Sequence, residues 1–410
     1  MIAAKRFSLE NWKHADLGDV VEIQNGFAFK SKDYQDAGHF VMRIGNVQDG
    51  HISLDKPKFV QPTQKEARFI LNQGDILVSL TGNIGRAGMV QEKHLPAVLN
   101  QRVARVTPSD SSILKRQFLF YFLSSRVFRE SLSIGGHGAA QQNVSTKEMA
   151  ALPFLLPPLP EQERIVAILD EAFEGIATAT AHAQRNLDNA RELFQSVLQS
   201  TFEQKGEDWV ETTLGEVATK IGSGATPRGG QAAYKPEGIS LIRSLNVYDR
   251  EFRSSKLAFI DGEQAEKLKN VIVNEGDVLL NITGASVARC CVAPSAYLPA
   301  RVNQHVSIIR PKPEMLDSRF LNQLLTSRVY KDMLLGIGGE GGATRQAITK
   351  AQIQSFRVAL PPLNKQKSIV QKLDALSAET RRLEAVYQRK LAALAELKQS
   401  LLQRAFAGEL

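Results

Sequence analysis

The chain repeats itself once, with its landmarks in unchanged order. Trp12 is followed by DLGDVVEIQNG and Trp209 by ETTLGEVATKIGSG, an offset of 197 residues. The offset is 202 at SLTG (79–82) against NITG (281–284), and 203 at Asn100-Gln101-Arg102-Val103 against Asn303-Gln304-His305-Val306. It stays at 203 at Ile134-Gly135-Gly136 against Ile337-Gly338-Gly339, and reaches 204 at LPPLPEQ (156–162) against LPPLNKQ (360–366). Small loop insertions account for the drift. A repeat of this period decides the architecture before any element is assigned: two similar modules, each leading into a long helical pattern.

Within each module, short apolar and β-branched runs lie between turn signals. GDILVSLTGN (74–83) and GDVLLNITGA (276–285) read as strands running into glycine turns. Further strands are expected at 39–44 with 238–244, and at 102–107 with 305–310. One helix should follow in each copy, over 117–131 and 319–334, where the two share apolar spacing and an SR-V-[FY] step. Each module is therefore mixed α and β. Asp75 and Asp277 recur in G-D-[IV]-L, and an acidic residue after glycine at a strand start reads as a turn-forming group. Asn100-Gln101 and Asn303-Gln304 recur too, which favours a structural role for them over sequence reading.

Pro157-Pro158 and Pro361-Pro362 disfavour helix upstream of themselves. Beyond each pair the sequence is helical for roughly 43 residues, about 65 Å of helix. In the second stretch Ile369, Leu373, Leu376, Thr380, Leu383, Tyr387, Lys390, Leu394, Leu397 and Leu401 step alternately by four and three, the seam of a coiled coil. Thr380 and Lys390 interrupt it. In the first, Ile165, Leu169, Ala172 and Ile176 are followed, after a phase slip, by Ala183, Leu187, Ala190, Phe194 and Val197. Such stripes must be buried. One chain already carries both, so an antiparallel intramolecular coiled coil is expected ahead of a homodimeric one. The organisation is thus α+β: module 1 over 1–156, long helix 1 over 157–204, module 2 over 205–360 and long helix 2 over 361–410.

With 410 residues and 43% apolar content the chain has ample material for ordinary globular cores. No apolar run approaches a membrane span, and the first residues lack the apolar centre of a signal peptide, so a cytoplasmic protein is expected. The two cysteines are the neighbours Cys290 and Cys291, too few for a zinc site and read as buried free thiols. A formal charge of +8 is compatible with a polyanionic partner. Catalytic signatures are missing: no G-x-x-x-x-G-K-[ST] loop, no H-E-x-x-H and no metal-spaced Cys/His cluster. The glycine strings at 133–140 and 336–342 do not sit in a βαβ context, and the Pro-Pro pairs precede leucine rather than the aromatic residue of an amino-methylating motif. His39 and His137 lack counterparts in the other copy.

The duplicated L-G-[DE]-V opening, the G-D-[IV]-L-[VL]-x-[LI]-T-G element, the Gly-rich segment ending in Gln142 or Gln346 and the LPPLxxQ helix entry together resemble the specificity subunit of Type I restriction-modification enzymes, over essentially the whole chain. That resemblance implies a non-catalytic subunit. Its modules would be target recognition domains, each reading one half of an asymmetric bipartite site in double-stranded DNA. Its helices would set the spacer and dock methyltransferase subunits, expected to number two, alongside restriction endonuclease/translocase subunits. S-adenosylmethionine, ATP and magnesium would then belong to the partners, with no cofactor or metal in this chain. Candidate DNA-contacting side chains are Arg43, Asn83, Arg86, Gln141 and Gln142 in module 1, and Arg243, Ser286, Arg289, Arg345 and Gln346 in module 2. Each could instead cap a turn or stay solvated. Ile165, Leu169, Ile176, Leu187, Phe194, Leu373, Leu376, Leu383, Leu394, Leu397 and Leu401 are expected to pack helix on helix or against a partner. The competing reading is a coiled-coil interaction scaffold that reads no DNA sequence.

Overall fold

The computed structural model describes residues 11–135, 143–339 and 347–410. The chain forms two compact units, Met1–Gln184 with Gln388–Leu410, and Arg185–Tyr387. The long helices, Leu159–Glu203 and Leu363–Phe406, each contribute one half to each unit. Among the described residues no helix is long and apolar enough to cross a membrane.

The same sheet is built twice. In the first unit four antiparallel strands run in the order Val21–Asn25, Val103–Pro108, Ile76–Ser79, Ala87–Met89; in the second the order is Ala218–Ser223, Val306–Pro311, Val278–Asn281, Cys290–Val292. A second small sheet lies beside each, centred on His39–Met42 or Ile239–Ile242, whose neighbour Ala97–Leu99 or Ala300–Val302 runs parallel to it. A two-stranded ladder, Lys13–Asp16 with Pro153–Leu156 or Val210–Thr213 with Arg357–Leu360, ties the start of each module to the strand that enters its long helix. Asp75 and Asp277 do form turns, accepting from the N–H of Asn72 (2.9 Å) and Asn274 (2.7 Å). Each also meets an arginine of the central strand. Arg310 grips the fully buried Asp277 through two contacts of 2.7 and 2.9 Å, whereas Arg105 reaches Asp75 at 3.2 Å.

The helix expected over 117–131 is in fact two, Arg116–Ser124 and Arg126–Gly135, and the one over 319–334 is Ser318–Thr326 and Arg328–Gly339. The shared SR-V-[FY] step is the break. Ser125 and Ser327, both fully buried, take extended backbone (ψ 158° and 148°). The Ser125 hydroxyl donates to the carbonyl of Phe122 and accepts from the N–H of Phe128, closing one helix and capping the next. A hydroxyl that satisfies orphan groups on both sides makes the break inexpensive.

Gln162 and Gln366 explain the LPPLxxQ motif. Both are fully buried in the first turn of a long helix. Gln162 accepts from the N–H of Lys115 and donates to the carbonyls of Ile113 and Pro157; Gln366 accepts from Asp317 and donates to Met315 and Pro361, all six bonds at 2.8–2.9 Å. A side chain with both donor and acceptor is needed to close that set. The amide thereby nails each long helix to its module.

The helix halves run antiparallel within each unit. In the first, Ile165 and Leu169 share a core with Leu402, Ala405 and Phe406; in the second, Phe194, Leu198 and Phe202 share one with Val370 and Leu373. Phe406 on Phe118 (centroids 5.3 Å) repeats as Phe202 on Phe320 (5.5 Å), edge contacts that contribute about 1 kcal/mol each beyond burial. Leu187 is also buried, while Ile176, Leu376, Leu383, Leu394 and Leu401 are half-buried. Leu397 departs from the expected seam and is 47% exposed, because the helix end turns Leu402, Ala405 and Phe406 inward instead. Thr380 sits buried without disruption, its hydroxyl donating to the carbonyl of Leu376.

Candidate nucleic-acid interface

The turn after Ile76–Ser79, or after Val278–Asn281, is the point where the modules diverge. Ser79 N–H bonds Arg86 carbonyl (2.9 Å) and Asn281 N–H bonds Arg289 carbonyl (2.8 Å). Those bonds make Arg86 and Arg289 equivalent and place one extra residue within the second turn. Gly85 (φ 76°) is matched there by Ala288 (φ 66°), a left-handed position that costs a residue with a Cβ. Asn83 is exposed on the first turn. Ser286 is half-buried on the second, its hydroxyl accepting from the Asn281 amide at 3.2 Å.

The two arginines have different surroundings. Arg86 donates to the side chain of Gln48 (2.7 Å) and approaches Asp49 (3.7 Å), which also binds Arg129 (2.8 Å). In the second unit Asp249 pairs with Lys331, and Tyr248 stands where Gln48 stood. Arg289 lies over the Tyr248 ring, 4.8 Å from its centroid, and Arg253 lies 3.8 Å from the same centroid. Arg253 is neutralised by two contacts with Glu251, which hold its guanidinium above and the Glu251 carboxyl below their usual ranges.

Ser286 and Arg289 come together with Ser244, Tyr248, Thr283 and His305 around an open groove of about 400 Å³. One wall is held by a relay: Thr226 bonds Gln304 (2.5 Å), Gln304 meets His305 Nε2 (3.2 Å), and His305 Nδ1 meets Thr283 Oγ1 (2.5 Å). Asn303, buried behind this turn, accepts from the His305 N–H (3.1 Å), in line with the structural role expected of the repeated Asn-Gln pair. Beyond the turn a second cavity of about 520 Å³ is lined by Thr226, Arg228 and Lys267. Sequence reasoning missed Tyr248 and His305, because both stand at positions where the copies differ: Gln48 and Arg102.

Arg43 and Arg243 take up an internal duty. Each guanidinium donates to the carbonyl of Lys56 or Lys256 (2.5 Å), residues held at φ 50° and 57°. Each backbone N–H donates to the buried Asn46 or Asn246 (3.1 Å), whose amide reaches on to Ser53 or Arg253. This arginine–asparagine lock braces a loop identically in both units, and the asparagines gave no signal in the sequence beyond their recurrence. Gln141, Gln142, Arg345 and Gln346 lie outside the described residues. Their C-terminal flanks bridge to the diverging turns, Asn143 to Thr81 and Ala347 to Thr283.

Comparison with known proteins gives a consistent likeness. The model of the Type I restriction modification DNA specificity domain matches residues 9–186 and again 206–391. The chain is 24% identical to the Type I restriction enzyme EcoBI specificity subunit of Escherichia coli, over 98% of this chain and 86% of that one. It is 25% identical to the putative type I restriction enzyme MjaX specificity subunit of Methanocaldococcus jannaschii, over 90% and 87%. Among solved structures, a chain from a study of assembly and conformational transition in the type I R-M system superposes with a TM-score of 0.74 at 21% identity, covering 98% of both. The HsdS subunit from Thermoanaerobacter tengcongensis follows at 0.61 and 21%, covering 98% and 97%. At these identities the structural likeness speaks for the fold.

Proposed function

The chain belongs to the Type I restriction modification DNA specificity family, and from that premise we propose that it is the non-catalytic subunit that selects DNA sequence for a Type I restriction-modification complex. Module 1 and module 2 each read one half of an asymmetric, interrupted target in double-stranded DNA. The long helices, shared between both units, set the spacer and dock two methyltransferase subunits, with an endonuclease/translocase joining that assembly in the cytoplasm. S-adenosylmethionine, ATP and magnesium act in the partners.

The observation that carries this reading is the contrast between frame and turn. The order of the main sheet is repeated, and the arginine–asparagine lock and the buried glutamine recur bond for bond, while the turn residues around Arg86 and Arg289 differ in length, partners and charge balance. A kept frame with altered groove chemistry is what two different base-reading tasks demand, since base edges are distinguished by donor and acceptor pattern. Arg43 and Arg243 are accordingly assigned to the frame, as is Arg86, held by Gln48 and Asp49 of its own unit; Asn83, Ser286 and Arg289 remain the proposed contact positions, together with Gln141, Gln142, Arg345 and Gln346.

The test is to assemble the chain with its methyltransferase partner and profile binding and methylation on a randomised DNA library. Two unlike half-sites at fixed separation are expected, with affinity falling steeply as salt rises. Equal protection of all sequences would refute the reading.

A further inference from the structure

We infer that Arg289, clamped on Tyr248, is a specificity-determining residue that donates to a guanine edge in the half-site read by module 2, whereas its counterpart Arg86 is not a base reader. The inference rests on the DNA-recognition reading above and deepens it at one position. Among the described residues the Arg289 guanidinium has no hydrogen bond or ion pair; its contact is the ring of Tyr248 at 4.8 Å. Stacking over a ring leaves the donor edge of a guanidinium unoccupied and fixes its plane. Arg289 itself lines the groove together with Ser244, Thr283, Ser286 and His305.

Among the described residues the two neighbouring carboxylates are each paired with another cation, although Asp249 Oδ1 is buried without a hydrogen bond. Glu251 is taken by Arg253 and Asp249 Oδ2 by Lys331, and neither carboxylate forms an ion pair with Arg289. In module 1 the same position is spent: Arg86 is held by Gln48 and Asp49. The exchange of Gln48 for Tyr248 therefore turns a tethered arginine into a presented one.

A base edge fits this arrangement better than a phosphate. A phosphate contact tolerates a mobile cation and needs no clamp, while the bidentate bond to guanine O6 and N7 requires a fixed plane. Preorganisation by the ring also lowers the entropy lost on binding. Leu245 lines the same groove and is 38% exposed, an apolar surface suited to a base or a thymine methyl and not to a phosphate oxygen.

The experiment uses the full chain assembled with its methyltransferase partner and a randomised double-stranded DNA library, comparing wild type with Arg289→Ala, Arg289→Lys and Arg86→Ala. Arg289→Ala and Arg289→Lys should each relax preference at one guanine about 5- to 150-fold. The other half-site should stay unchanged, and Arg86→Ala should leave every base preference intact. Equal weakening on all sequences by Arg289→Ala, with a shallower salt slope and rescue by Arg289→Lys, would make Arg289 a phosphate contact and overturn the assignment. So would unchanged preference in both Arg289 variants. The lysine variant keeps the charge and guards against loss of folding in the alanine one, checked by thermal melting. A wild-type assembly without any sequence selectivity would instead defeat the underlying DNA-recognition reading, a result separate from a selective wild type whose Arg289 variants are silent.

Discussion

Replacing Gln366 by methionine keeps the volume of the side chain and strips it of its three hydrogen bonds. The amide accepts from Asp317 N–H (2.9 Å) and donates to the carbonyls of Met315 and Pro361 (2.9 Å each), in a site from which water is excluded. Each bond contributes about 1 kcal/mol net, and a buried partner left unsatisfied costs about 1–3 kcal/mol. Water can reach part of the loop around the exposed Met315, so the sum is placed near the low end, about 3–4 kcal/mol. The chain has two tryptophans, Trp12 in the first unit's core and Trp209 against the second's. In a Trp12→Phe background, urea unfolding followed by fluorescence therefore reports on the second unit. With a slope of roughly 2 kcal/mol/M the midpoint should fall by about 1.5–2 M. The mirror experiment, Gln162→Met read through Trp12 in a Trp209→Phe background, should give a similar fall. A shift of Gln366→Met below about 0.3 M would refute the claim that this amide nails helix to module.

Three further outcomes are expected. Asp277→Ala should destabilise by about 2–4 kcal/mol, because it removes two charge-assisted bonds from Arg310 at a fully buried carboxylate and leaves that cation the Ile272 carbonyl alone; Asp75→Ala should cost about 1–2 kcal/mol, since Arg105 keeps Gln24 and the Ile70 carbonyl as partners. Calorimetry of both variants checks the ranking, and equal losses would contradict it. Burial pushes the Cys291 thiol up to about 12 and the Cys290 thiol upward as well, so a thiol reagent at pH 8 should label neither until the protein unfolds. For Cys291, with the folded value above the unfolded one near 9.0, the contribution to stability is complete below about pH 9 and is lost as pH rises toward 12; the shift of Cys290 has the same sign. Rapid labelling of the native protein would count against burial. Inserting one heptad in each long helix at corresponding positions should lengthen the spacer of the DNA target by about three base pairs, from the helix rise and the DNA step, with both half-sites kept; altered half-site bases with an unchanged spacer would count against the assigned role of the helices.

The repeat, the positions of the principal strands and the two long helices were legible in the sequence, for a physical reason: they are written in local periodicities of two and of 3.6 residues, and in proline, glycine and turn chemistry at fixed offsets. Even the antiparallel pairing of helix halves followed from one chain carrying both apolar stripes. What the side chains do was decided by partners far away along the chain. Ser125 and Ser327 looked like helix interior, yet each buried hydroxyl donates to the end of the preceding helix and that of Ser125 also caps the next. Gln162 looked like part of a helix entry, yet its worth depends on a loop 47 to 49 residues earlier. Arg43 and Arg243 looked like exposed contact groups, and the fold spends both on a carbonyl 13 residues on. Arg86 and Arg289 looked alike; the strand register that sets Gln48 beside one and Tyr248 beside the other leaves only the second with an open donor edge. Sequence determined that the chain has two modules on two helices, because those features are local. Tertiary structure decided which arginine is available to a ligand, because availability is a property of neighbours that only folding assembles.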